Sequence, residues 1–185
     1  MDKSSALKLL REHIKNENTI KHSIAAAAVL KALAAKLGED QEKWELAGLL
    51  HDIDYETTKG NPATHGMECE KILRENDVDE EVIDAIKAHN EMADGAIKRE
   101  TKLHHALAAG ETITGLITAT ALVYPDKKLC SVKTKSITKR MKEKSFAASV
   151  NRDVIRECEK IGMTVDDFSQ TALEAMQGIS WELGM

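Results

Sequence analysis

The sequence predicts a single all-α domain, and three observations carry that prediction. Glycine (10) and proline (2) are scarce and aromatics make up 3% of the 185 residues, while Ala, Leu, Lys and Glu abound. That balance favours helices over a strand-rich barrel or sandwich. Apolar residues recur at i, i+3, i+4 and i+7 along most of the chain, the spacing of one buried helix face. No repeat, low-complexity run or linker interrupts it, so residues 1–185 read as one domain, and 42% hydrophobic residues suffice for a core.

Taken in order, about eight helices are expected. The first covers roughly residues 4–17, with Leu7, Leu10 and Ile14 at helical spacing. Asn18 or Thr19 can cap a second that runs to Lys36, where Gly38 supplies a left-handed stop. Asp40 caps a third, whose face carries Trp44, Ala47, Gly48 and His51. After the loop "GNPATHG", Asn61 serves as N-cap and Pro62 as first residue of a fourth. Asp79 opens a fifth, with Val82, Ile86 and His89 on one face. A sixth begins near Thr101 and must end before Pro125. Beyond a Lys-rich stretch, Asn151 and Thr164 start two more, closed by Gly162 and Gly184.

The bulk numbers exclude several function classes. A net charge of −5 gives no basic footprint, so nucleic acid is not an expected partner. No stretch reaches about 18 uninterrupted apolar residues, and the amphipathic N-terminus "MDKSSALKLLREHIKNE" has no secretory core, so no membrane partner is expected either. Cys69, Cys130 and Cys158 are odd in number and widely spaced, which suits a reduced cytoplasm. Whether the chain forms a homo-oligomer is left open.

The informative polarity lies where apolar residues belong. "GLLHDIDYE" sets an imidazole and three carboxylates directly after an apolar run. His22 shares a face with Ala25, Ala26, Val29 and Leu33; His65 aligns with Cys69 and Ile72; His89 aligns with Val82 and Ile86. A buried imidazole left unpaired costs roughly 1–3 kcal/mol, so each is either a satisfied core residue or a ligand. Separate helices of one bundle can bring such side chains to a common point. Imidazoles and carboxylates without a nearby thiol suit a first-row divalent ion rather than a structural zinc knot.

In order, "KHSIAAAAVLKALA", "WELAGLLHDIDYE", "HG", "KIL" and "AIKAHNE" resemble the HD-domain metal-dependent phosphohydrolase superfamily. "TGLITATALVYPDKKL" and "KSFAASVNRDVI" resemble the C-terminal part of one of its branches. The resemblance implies an all-α metal-site core over about 18–123, with C-terminal helices 124–185 packed on it. It implies one divalent ion, or two, drawn from Mn, Co, Ni, Fe, Mg or Zn. Carried over by position, the ligands are His22, then His51 and Asp52, then an acid from the sixth helix. There the chain departs from its relatives: the branch carries "A-x-D-E-L-T-G-L-I", and aligned on "TGLI" the ligand aspartate is replaced by Glu111. Glutamate reaches about one methylene further, and Gly110 can let the helix shift to absorb that length. Either Glu111 binds metal or the site is weakened. His65 and His89 occupy the positions of a second metal or of phosphate contacts, with Asp52 able to bridge two ions. His104 and His105 read as supporting or surface residues, and His13 as exposed.

The implied chemistry is hydrolysis of a phosphoester, in which the metal activates water and neutralises phosphoryl charge. Asp52 is then catalytic as well as ligating, and Asp54, two residues on, is a candidate general base, with Glu56 further round the turn. Lys21 and Lys59 are the nearest cations for a substrate phosphate, and the basic run Asp126–Lys144 can border the pocket or stay solvated. The expected substrate is a small phosphorylated molecule, by default a nucleoside monophosphate. Two rivals stay open: a di-iron oxygenase on the same fold, which needs both His65 and His89 as ligands, and a ligand-binding or regulatory module if Glu111 fails to hold metal.

Overall fold

The computed structural model describes residues 1–185 and contains helices and no strands. α1 (Lys3–His13) is capped by Asp2, whose carboxylate accepts the Ser5 amide at 2.8 Å. α2 (Glu17–Leu37) starts at Asn16, which accepts the amides of Asn18 and Thr19, so those two residues are capped rather than capping. It ends at Gly38 with φ 71°. α3 (Gln41–Leu50), α5 (Glu80–His89) and α6 (Lys102–Leu122) start where Asp40, Asp79 and Thr101 accept first-turn amides.

Between α3 and α5 the expected fourth helix is displaced. Asn61 accepts the Ala63 amide at 3.1 Å, but residues 62–68 form turns and α4 covers only Cys69–Glu75. Gly66 takes φ 82°, a left-handed conformation that stops a right-handed helix. The buried Asp54 carboxylate accepts the amides of Gly66 and Cys69 at 2.8 and 3.2 Å. His65 therefore projects from a turn, not from a helix face.

The C-terminal third holds more short elements than expected. α7 (Thr134–Arg140) follows a 3-10 helix at Leu129–Ser131. Asn151 and Gly162 do bound a helical segment, but only α8 (Arg152–Ile155) is α, and a 3-10 helix (Arg156–Ile161) completes it. α9 (Val165–Gly178) is capped by Thr164, and α10 (Ser180–Leu183) ends at Gly184.

The long helices α2 and α6 form the axis of the bundle. α3 and α9 pack on α2, and α5, α8 and the second 3-10 helix pack on α6. One apolar cluster runs from Ala6 to Leu183 and includes Phe168, Leu30, Ile83 and Ile117. Two glycines set the spacing. A Cβ at Gly48 would lie 2.7 Å from the Ala26 carbonyl carbon and oxygen, so α3 rests directly on the α2 backbone. A Cβ at Gly110 would meet the Leu30 side chain at 2.7 Å. Gly110 thus lets α6 approach α2, and it corrects the expectation that this glycine provides slack for the helix to shift.

Candidate metal centre

Five separate segments deliver polar side chains to one end of the bundle. His22 comes from α2, His51 and Asp52 follow the end of α3, His65 sits in the turn before α4, His89 closes α5, and Glu111 comes from α6. All but the wholly interior His51 line an open cleft of about 440 Å³, together with Tyr55 and Asn90.

The donors form two triads that share one carboxylate. His22, His51 and Asp52 offer three ligand atoms mutually within 4.8 Å, and so do Asp52, His65 and His89. The Nε2 atoms of His22 and His51 are 3.2 Å apart, and those of His65 and His89 are 3.1 Å apart. Two imidazoles bound ~2.1 Å from one ion at tetrahedral or octahedral angles bring their nitrogens to about 3.0–3.4 Å. The Asp52 carboxylate touches both triads: Oδ1 is 3.1 Å from His65 Nε2 and 3.4 Å from His51 Nε2, and Oδ2 is 3.7 Å from His22 Nε2. Glu111 Oε2 stands 3.6 Å from His22 Nε2, on the side of the first triad.

Each imidazole is anchored through its other nitrogen. His51 Nδ1 donates to the Gly48 carbonyl at 2.8 Å, His89 Nδ1 to the Ile86 carbonyl at 2.5 Å, and His65 Nδ1 to Asp54 Oδ1 at 2.8 Å. His22 Nδ1 contacts the Thr114 hydroxyl at 2.9 Å, and that hydroxyl already donates to the Glu111 carbonyl at 2.7 Å. His22 must then supply the proton at Nδ1. All four rings therefore aim Nε2 at the cluster, the orientation that hydrogen bonding behind metal-ligating histidines produces. This donor set fits a divalent ion, and its shared carboxylate suits two.

Burial and neighbouring charges act in opposition on the cluster. Burial pushes His51 down to about 4, against the pull of Asp52, and keeps it neutral. Burial and the charge of His65 also lower His89. For His65 burial is outweighed by hydrogen bonds to Asp52 and Asp54, which push it up to about 9. His22 is raised by Glu111 and Asp52 in spite of burial. Both carboxyls, Asp52 and Glu111, lie below their usual range because the imidazoles outweigh their burial. A cation binding here would displace a proton from His65.

Several residues singled out in the sequence lie elsewhere. Asp54 is wholly buried behind His65 with both oxygens engaged; it cannot meet a substrate in the cleft, which corrects the expectation of a general base. Glu56 accepts the Lys15 and Asn16 amides at 2.7 Å and ties α1 to α2. The Lys21 ammonium reaches Gly184, Lys59 is exposed on its own turn, and neither lines the cleft. The basic run folds into α7 and its flanks, with the Arg140 guanidinium over the Phe146 ring. His104 and His105 are buried at the start of α6, where His105 Nδ1 pairs with Glu157. The three cysteines are free thiols.

Sequence reasoning missed the residues that orient the ligands. Thr114 lies three residues after Glu111, one turn along the same face, a spacing that could have flagged it. Asn90 follows His89 directly and donates to the Pro62 and His65 carbonyls at 2.7 and 2.9 Å. No local pattern marks Gly48 as the acceptor for His51.

Comparisons with known proteins give the family. The HD domain family model matches residues 19–124. Relatives include a ribonuclease Y of Lawsonia intracellularis, 38% identical over 103 residues. Those residues are 54% of this chain and 18% of the relative. A ribonuclease Y of Staphylococcus epidermidis is 41% identical over 78 residues, 40% of this chain and 14% of the relative. A ribonuclease Y 2 of Levilactobacillus brevis is 36% identical over 103 residues, 54% and 18% of the two chains. The matches thus span less than a fifth of these curated relatives. No solved structure matches the chain. The relatives, ribonucleases by name, overturn the expectation that nucleic acid is excluded as a partner. That expectation used a charge averaged over the whole surface, whereas a bound divalent cation is itself the largest local charge a phosphate would meet. No helix is long and apolar enough to cross a membrane. With the matched residues enclosing His22, the His51-Asp52 pair, His65, His89 and Glu111, the chain belongs to the HD domain family.

Proposed function

We propose that this chain is a metal-dependent phosphohydrolase acting on a nucleotide-type phosphoester, and that the phosphodiester of RNA or of a short RNA fragment is its preferred bond. The observation that carries the reading is the pair of His-His-Asp triads joined through Asp52. Ribonuclease Y relatives support the RNA class. Two divalent ions in the triads would supply charge for the phosphoryl oxygens and an activated water.

The chain's own residues hold and orient. His22, His51, His65 and His89 present Nε2, Asp52 joins the two triads, and Glu111 adds a carboxylate beside His22. No lysine or arginine lines the cleft, so phosphate charge would be met by the metal centre alone. Tyr55 at the rim is 43% exposed, with its ring edge-on to His65 at 5.4 Å between centroids. It offers a face on which a base can stack.

The test is hydrolysis of short RNA oligonucleotides and, in parallel, of nucleoside monophosphates by metal-stripped protein reloaded with Mn²⁺, Co²⁺, Ni²⁺ or Mg²⁺. New RNA ends that require metal and disappear in Asp52→Asn support the reading. Phosphate release from the monophosphates alone would move the substrate to a phosphomonoester. Hydrolysis of neither would overturn the proposal. A second reading, a di-iron oxygenase, is favoured by one observation: His65 and His89 do meet Asp52 in a second triad. A dioxygen-dependent absorption change in the iron-loaded protein would select it.

A further inference from the structure

We infer that Arg99 and Glu157 position His89 for the second triad, so that a residue outside the matched HD segment governs binding of a second ion. The inference rests on the two-triad reading above.

His89 is the last residue of α5, where carbonyls lack helical partners and the final turn frays. A ligand in that place needs its backbone held from outside. The Ile86 carbonyl is taken by the His89 ring itself. The carbonyls of Ala88 and His89 both accept from Arg99 Nη1, at 3.1 and 3.2 Å. Arg99 thus closes the end of α5 from the loop before α6.

Arg99 is in turn fixed. Its side chain is 9% exposed, and Nε lies 3.1 and 3.0 Å from the two oxygens of Glu157, with Nη2 2.8 Å from Oε1. Glu91 takes a further bond from Nη2. Glu157 sits in the 3-10 helix Arg156–Ile161 and also receives His105 Nδ1 at 2.5 Å, with Lys160 3.7 Å away. Burial alone would raise the Glu157 carboxyl, but Arg99 and His105 hold it below the usual range, so it stays charged. A charged, forked pair is directional; it sets where the α5 terminus lies, and with it the His89 ring. The first triad has no contact with this group.

The experiment titrates Mn²⁺ into the metal-stripped 185-residue chain by calorimetry. Wild type should bind two ions. Glu157→Gln should keep the first unchanged and weaken the second roughly 10–100-fold, the usual effect of losing a group behind a ligand. Arg99→Lys keeps the charge but not the fork, and should fall between. Glu45→Gln is the control for a merely structural role: it removes an ion pair to Lys3 and Lys31 that shares no residue with the Arg99 group and should leave both affinities as in wild type. An unchanged second affinity in Glu157→Gln, or equal loss of both ions, overturns the inference while leaving two ions in wild type. Fewer than two ions in wild type overturns the two-triad reading itself. If Glu157→Gln fails to fold by circular dichroism, Arg99→Lys and His105→Gln decide by the same comparison.

Discussion

Asp54 accepts the Nδ1–H of His65 at 2.8 Å while its own side chain is sealed from solvent. Two residues earlier, Asp52 faces the cleft and both triads. Neighbouring carboxylates in one turn thus take opposite positions, one among the candidate donor atoms and one behind them. A carboxylate behind a ligating imidazole fixes its tautomer and raises its basicity.

The first prediction separates these roles. Asp54→Asn should weaken metal binding roughly 10–100-fold, and added metal should restore turnover to near the wild-type rate. Loss of a general base would instead leave turnover depressed at every metal concentration. Rates measured across a metal titration decide between them; persistent loss at saturation would return Asp54 to the chemistry.

Asp52 is the one side chain common to both triads, which sets a distinct metal count. Asp52→Asn should lose both ions and all phosphoester hydrolysis, while His22→Ala and His89→Ala should each lose one. Elemental analysis of the purified, folded variants reads this directly. Equal stoichiometry in Asp52→Asn and His89→Ala would show that the triads do not share a carboxylate.

The residues that read clearly in the sequence are those whose role follows local pattern. Asp40, Asp79, Thr101, Asn151 and Thr164 cap helices as their types suggest, and the histidines stood out because imidazoles on apolar faces demand partners. What stayed hidden depends on residues far apart in the chain. The fourth helix was misplaced because Asn61-Pro62 is a sound local start, yet Asp54 and the φ of Gly66 override it. Arg99 and Glu157 are 58 residues apart, and nothing near either one announces a buried pair. The place of Asp54 was hidden for the same reason: in the sequence it lies beside Asp52, but its burial is set by the turn that carries His65.

Acid should expose one of the distant ion pairs. Glu45 is buried, and burial would raise its carboxyl, but Lys3 and Lys31 hold it below its ordinary value of 4.5. A lowered folded-state value means its contribution is complete above about pH 4.5 and is lost as pH falls through the folded-state value. Glu45→Gln should therefore be less stable than wild type by roughly 1–2 kcal/mol at pH 7, with the gap narrowing as pH falls below 4.5. Urea melts across the acid range measure it; a gap that does not narrow as pH falls would mean the loss is packing rather than charge.

Glu111 stands where the resemblance implies an aspartate, and its surroundings give the sign of a substitution. Its Oε2 stands 3.6 Å from His22 Nε2, while Oε1 accepts from the Thr112 hydroxyl. The backbone behind it is packed closely, since Gly110 brings α6 against the Leu30 side chain, where a Cβ would come within 2.7 Å of a methyl carbon. Thr114, one turn on, ties the Glu111 carbonyl to the His22 ring and fixes the register of the two helices. The glutamate length is thus matched to this backbone. Glu111→Asp should fall short by about one methylene and weaken binding of the ion at the first triad, and Glu111→Gln should weaken it through loss of charge at unchanged length. Both should leave the second triad's ion in place, since His65, His89 and Asp52 are untouched. Metal titrations of the two variants against wild type read the effect. Tighter binding in Glu111→Asp would show that the cleft was shaped for aspartate, and unchanged binding in both would remove Glu111 from the ligand set, leaving His22, His51 and Asp52.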